Sequence, residues 1–152
     1  MKDVIISIKG TQNTGDDEAI EFVTCGELWR EGGVTAFSYM ESEMTGMEGT
    51  RTTFRVSPER ITLTREGTTS AEMIFEQGKK HVFLYETPYG ATSLGVDTRR
   101  LVDRLDDTGG NMELQYTVDV DSAIVSENSF FIHVREPGGN VPPNGTQPTP
   151  NR

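Results

Sequence analysis

The chain has 152 residues and a formal net charge of −10, from 14 Lys and Arg against 24 Asp and Glu. That length suits one domain with a single core, and the acidic balance disfavours nucleic acid and anionic membrane surfaces as partners. The lone cysteine, Cys25, excludes an internal disulfide and fits a reducing compartment.

Val4, Ile6 and Ile8 alternate with Ser7 and Lys9, so the chain opens on a strand. The apolar run stops at Lys9 with no small-residue cleavage site after it, which argues against a secretory leader. No segment reaches the apolar length of a membrane-spanning helix. A cytoplasmic location is therefore expected. Asn13 to Asp17 reads as a turn, and a second strand runs from about Ala19 to Arg30. Within it Cys25 is expected to be a small buried hydrophobe. Glu31-Gly32-Gly33 turns the chain into a third strand, around Val34 to Glu43. A fourth runs from Thr50 to Val56, and Ile61 and Leu63 alternate with threonines in a fifth.

Ala71, Met73 and Phe75 share one face of a sixth strand, and KHVFLYE forms a seventh. Thr87-Pro88-Tyr89-Gly90 has β-turn chemistry, with proline at the second position and glycine at the fourth. An eighth strand starts at Ala91. Arg99 to Asp107 is ambiguous, because Leu101, Val102 and Leu105 have helical spacing in a segment that also extends the eighth strand. Met112, Leu114, Tyr116, Val118 and Val120 alternate with polar residues, the clearest half-buried strand of the chain. Phe130, Ile132 and Val134 mark the last strand, ending near Arg135.

About ten short strands joined by tight turns describe a meander. Closing it into a barrel removes both exposed edges. The expected fold is all-β, an antiparallel up-and-down barrel of about eight to ten strands over residues 1–135, with a two-sheet sandwich as the alternative. Residues 136–152 hold five of the seven prolines and only Val141 as a large apolar side chain. Such a tail is expected to be disordered.

Three separated stretches, ESEMTGMEGT, SAEMIFEQGKKHVFLYETPYGATSLGV and SENSFFIHV, resemble in that order the YwiB-like bacterial family, a domain of unknown function. The resemblance covers roughly Met1 to Arg135. It implies a calycin-like barrel related in shape to the lipocalins, and it carries no activity with it.

Candidate site residues come from the strand faces. Glu41 and Glu43 continue the face of Phe37 and Tyr39; in a strand they stand about 7 Å apart. If that face points into the barrel, burial raises their pKa values into the range of a general acid. Otherwise they lie in solvent at a strand end. Arg51, on the return strand, is the expected counter-charge. His81 shares a face with Phe83 and Tyr85 and would be the next polar group of the interior. A lone histidine is more often a hydrogen-bonded packing residue, and the only other His or Cys residues are His133 and Cys25, too few to suggest a zinc site. Gly46-Met47-Glu48-Gly49 echoes a phosphate-clamping GXXG loop, but its glutamate neighbours would repel phosphate. The leading reading is a non-enzymatic barrel that binds a small molecule through Tyr39, Glu41, Glu43, Arg51, His81 and Tyr85, with no catalytic residue, metal or cofactor assigned. The alternatives are an enzyme using Glu41, Glu43 or His81 as acid and base, and an interaction module that homodimerises through an uncovered edge or apolar patch.

Overall fold

The computed structural model describes residues 1–13 and 17–138. The expected disordered tail lies, from residue 139 onward, outside the described residues, as does the middle of the first turn. Ten strands follow one another: β1 (Lys2–Asn13), β2 (Asp17–Glu31), β3 (Val34–Met40), β4 (Arg51–Val56), β5 (Arg60–Glu66), β6 (Ala71–Glu76), β7 (Lys80–Thr87), β8 (Gly90–Asp106), β9 (Gly109–Val120) and β10 (Ala123–Arg135). A short 3₁₀ turn, Glu43–Thr45, interrupts the series between β3 and β4.

The strands form one antiparallel sheet in the order β6-β5-β4-β3-β2-β1-β10-β9-β8-β7. Each strand pairs with its sequence neighbour except at two places. Strand β1 pairs with β10, which brings the first and last strands together. The other exception is β6 and β7, which meet without a ladder. Ser70 and Glu86 exchange backbone hydrogen bonds at one end of this seam, at 2.8 and 2.9 Å. At the other end the connecting turn bonds to β8 instead: Gly78 N donates to Thr98 O at 2.9 Å and Thr98 N to Lys79 O at 3.2 Å. The turn is captured by β8, so β6 and β7 splay. The result is an up-and-down barrel, closed all round but for this seam.

Alternation places one face of each strand inside. Ile6 and Ile8, Phe37, Phe54, Ile61 and Leu63, Met73 and Phe75, Met112 and Leu114, and Ile132 and Val134 make the core. The most completely buried of these, with Val4 and Leu28, gather toward the end where β1 begins and β10 finishes. There Phe37 stacks on its cross-strand partner Phe54, with centroids 4.9 Å apart. The opposite end is less tightly filled.

The ambiguous segment at Arg99 is strand. A bulge between Thr98 and Arg100 shifts the register against β9, after which Leu101 pairs with Leu114 and packs on the core. A spacing of four puts Leu101 and Leu105 on one face of a strand as well as of a helix, which is why the pattern read both ways. Cys25 departs from expectation: it is exposed. It shares the outward face of Val23, while Gly26 and Leu28 alternate across the inner surface.

Strand β2 comes close to both β1 and β3 at Gly26. A Cβ at Gly26 would lie 2.3 Å from the Ser38 carbonyl oxygen and 2.6 Å from Ile6 Cδ1. Only a residue without a side chain permits this approach. Gly26→Ala is expected to destabilise the barrel by about 2 kcal/mol through overpacking. An unchanged denaturant midpoint would show that the strands around Gly26 relax freely.

Candidate functional site

The stretch ESEMTGMEGT forms the loop between β3 and β4. Its ends are closed by a hydrogen bond from Glu41 N to Thr50 O, at 2.8 Å. Ser42 caps the 3₁₀ turn by accepting from Met44 N at 3.2 Å, and Gly46 ends it in the left-handed conformation, φ +77°. The loop is tied down to the β5–β6 turn. Thr50 and Thr68 hydroxyls lie 2.9 Å apart, Thr68 donates to Glu48 O at 2.7 Å, and Thr69 N donates to Thr50 Oγ1 at 3.0 Å. Gly67 admits this contact: a Cβ there would sit 2.2 Å from Gly49 O. The loop is thereby held over one end of the barrel.

Beneath it lies a cavity of about 690 Å³. Ile8, Ile20, Phe22, Phe130 and Ile132 form one wall; Tyr39, Phe54 and Leu63 form the adjoining wall; Met44, Thr45 and Met47 of the loop border it. Gly10 lies in the first wall, where a Cβ would come within 2.7 Å of the Phe130 ring. The missing side chain lets that ring lie across β1.

The polar end of the cavity is built around Glu41 and Arg65. Glu41 is buried, and its carboxylate accepts from Thr45 Oγ1 at 2.8 Å and from Thr52 Oγ1 at 2.5 Å. Arg65 Nε stands 4.0 Å from Glu41 Oε2. It is buried without a hydrogen-bond partner. Burial, reinforced by the Glu41 carboxylate, holds the Tyr39 hydroxyl well above the usual phenol range. Burial likewise pushes Tyr116 up to about 12, against the opposing pull of Arg65. Among the described residues, no group of three or more His, Cys, Asp and Glu could hold a metal ion.

The structure separates the residues that sequence reasoning grouped. Tyr39 and Glu41 line the cavity. Glu43 does not face inward: β3 stops at Met40, and the 3₁₀ turn carries Glu43 out to solvent. Arg51 is not the counter-charge of Glu41. It pairs in register with Met40 on the outer face and donates to Ser38 Oγ at 3.0 Å. His81 lies on the half-buried face of β7 with Phe83 and Tyr85, but at the seam, where its Nε2 is 3.0 Å from Glu76 Oε1. That contact, with Lys79 and Arg60 nearby, lowers the Glu76 pKa to about 2. Tyr85 packs against the core outside the cavity lining. Glu41, Glu43 and His81 therefore do not converge on one point.

Sequence reasoning passed over Arg65. The signal was present in ITLTRE, where alternation puts Arg65 on the apolar face of Ile61 and Leu63. Thr45 and Thr52 had no such signal, since their role depends on the loop and on register.

The family described as "Domain of unknown function (DUF1934)" matches residues 6–132. The chain belongs to this family. The crystal structure of the YwiB protein from Bacillus subtilis is similar to this DUF1934 chain, with a TM-score of 0.80 and 20% sequence identity, over 90% of this chain and 92% of that one. At that identity the likeness is one of fold. No curated protein matches the chain.

Two predictions concern the polar end. Arg65→Met leaves the Glu41 carboxylate buried without its cation and is expected to cost about 3 kcal/mol. Arg51→Met, on the surface, should cost no more than about 1 kcal/mol. Combining Glu41→Gln with Arg65→Met should recover part of the loss, because the pair is removed together. Strict additivity in denaturant melts would show that the two charges do not interact.

Tyrosine ionisation gives the second. The folded state keeps the Tyr116 proton to about pH 12, against an ordinary value of 10.0. Its contribution to stability is therefore complete below pH 10 and is lost as pH rises through 12. Tyr116→Phe should flatten the alkaline fall in stability between those limits. An unchanged slope would mean that Tyr116 ionises as freely folded as unfolded.

Proposed function

We propose that this protein is a non-enzymatic barrel that binds a small, largely apolar molecule beneath the β3–β4 loop. The observation that carries this reading is the cavity of about 690 Å³, lined mainly by apolar side chains, with Thr11, Gln12 and Asn128 among its polar lining and one buried charged pair, Glu41 and Arg65. Binding sites combine these features: apolar walls supply most of the contact, and a few fixed polar groups orient the ligand. A core meant only for stability would fill such a space, since unfilled volume weakens folding. The lipocalin-like use of a barrel, one ligand held in its mouth, suits this geometry. The dispersal of Glu41, Glu43 and His81 favours binding over acid–base catalysis, which needs its groups within reach of a common point. The exposed thiol of Cys25 supports a reducing, cytoplasmic setting.

Titration with N-phenyl-1-naphthylamine, an uncharged apolar fluorophore, tests the reading. One molecule should bind per chain with a blue-shifted emission. Ile20→Trp places a bulky ring in the wall beside Gly10 and should weaken binding at least tenfold with little change in melting temperature, because Ile20 is only half-buried. Equal affinity in the variant would locate the probe elsewhere; no binding to either would refute the cavity as a ligand site.

A further inference from the structure

We propose, resting on the binding reading above, that the cavity selects an uncharged ligand with an acceptor oxygen, such as a ketone, amide or ester carbonyl, and that Arg65 holds this oxygen.

A guanidinium stays charged in a protein and carries only donors. Arg65 Nε is buried with no acceptor. Glu41 is its nearest anion, yet at 4.0 Å it is beyond hydrogen-bonding distance. The two carboxylate oxygens are already engaged, one by Thr45 and the other by Thr52. Both Glu41 oxygens are thus held by threonine hydroxyls and neither by Arg65. The rest of the Arg65 side chain lines the cavity, so its guanidinium stands at the cavity's edge with Nε unsatisfied.

Charge then decides what kind of acceptor fits. Glu41 already balances Arg65, so the site is neutral before a ligand arrives. A carboxylate or phosphate head would bring a second negative charge beside Glu41 into apolar surroundings, where unpaired charge is strongly disfavoured. A cationic head would meet Arg65. A neutral carbonyl satisfies the donor and adds no charge. Behind it Phe22, Phe130, Ile8 and Leu63 offer an apolar wall for the rest of the molecule.

Three naphthalenes that differ only at one position test this on the intact protein by fluorescence titration. They are 6-propionyl-2-dimethylaminonaphthalene, which carries a neutral carbonyl, 6-dimethylamino-2-naphthoate, which carries a carboxylate, and 2-dimethylaminonaphthalene, which carries neither. The propionyl compound should bind roughly tenfold or more tighter than the unsubstituted parent, the gain expected of a hydrogen bond to a charged donor. It should also bind tighter than the naphthoate. Arg65→Met should erase the advantage over the parent and blue-shift the bound propionyl emission, which reports the lost hydrogen bond to its carbonyl. The double variant Glu41→Gln, Arg65→Met, which removes both charges, provides the same comparison should the single variant fail to fold. The wild-type series also decides by itself. Tightest binding of the naphthoate would overturn the proposal in favour of an anion site. Equal affinity of propionyl compound and parent would overturn it while leaving the cavity a binding site. Failure of all three compounds to bind would overturn the binding reading itself.

Discussion

Strand β1 is hydrogen-bonded along both edges, to β2 from Lys2 to Asn13 and to β10 from Ile5 to Asn13. This double ladder joins the two ends of the chain, and the barrel depends on it. Without the β1–β10 pairing the meander would be an open sheet with its first and last strands exposed. With it, the only interruption falls between β6 and β7, which a short turn holds near each other in any case. The walls of the cavity come from one continuous run of the sheet, β10-β1-β2 followed by β3-β4-β5, which the β2–β3 ladder joins.

The barrel is packed unequally along its axis. Aromatic and aliphatic side chains fill the end where β10 finishes, and the Phe37–Phe54 stack lies between that end and the cavity, which Phe54 also lines. Toward the loop end the interior becomes polar. Tyr39, Thr52, Glu41 and Arg65 replace what could have been four more apolar residues. A buried ion pair is a poor way to gain stability compared with apolar packing of the same volume. Its presence at the base of the cavity, beside apolar side chains, is the feature that stability does not explain. Placing such groups at the base of a cavity, under a loop tied by three threonines, is what a site for recognition requires.

Fold and site stand on different ground. Membership of the DUF1934 family and the likeness to YwiB agree with the barrel that the strand pattern predicts. The site stands on the geometry of this chain: a carboxylate fixed by two hydroxyls, a guanidinium just out of reach, and a cavity between apolar walls. A fold of this kind hosts many uses, and only the side chains in its mouth distinguish them.

The sequence by itself determined the all-β class, most strand positions and the inward face of the strongest strands. Period-two alternation in segments such as MELQYTVDV is a local property, and burial of one face follows from it directly. It put Tyr39, Glu41 and Glu43 on one face with Phe37 and left open whether that face points inward; the structure turns Tyr39 and Glu41 in and Glu43 out. Only the tertiary structure decided which charge meets Glu41. The loop between β3 and β4 is too long for its turn chemistry to set register. The actual pairing of Met40 with Arg51 turns Arg51 outward and brings Thr52 inward opposite Tyr39. Arg65 reaches Glu41 from the far side of β4, through a chain of two strand pairings. The seam was equally hidden, because it arises where a tight turn bonds to β8 as well as to itself. Alternation along one strand is written in neighbouring residues; register between strands and the meeting of faces across a closed barrel depend on all the pairings at once.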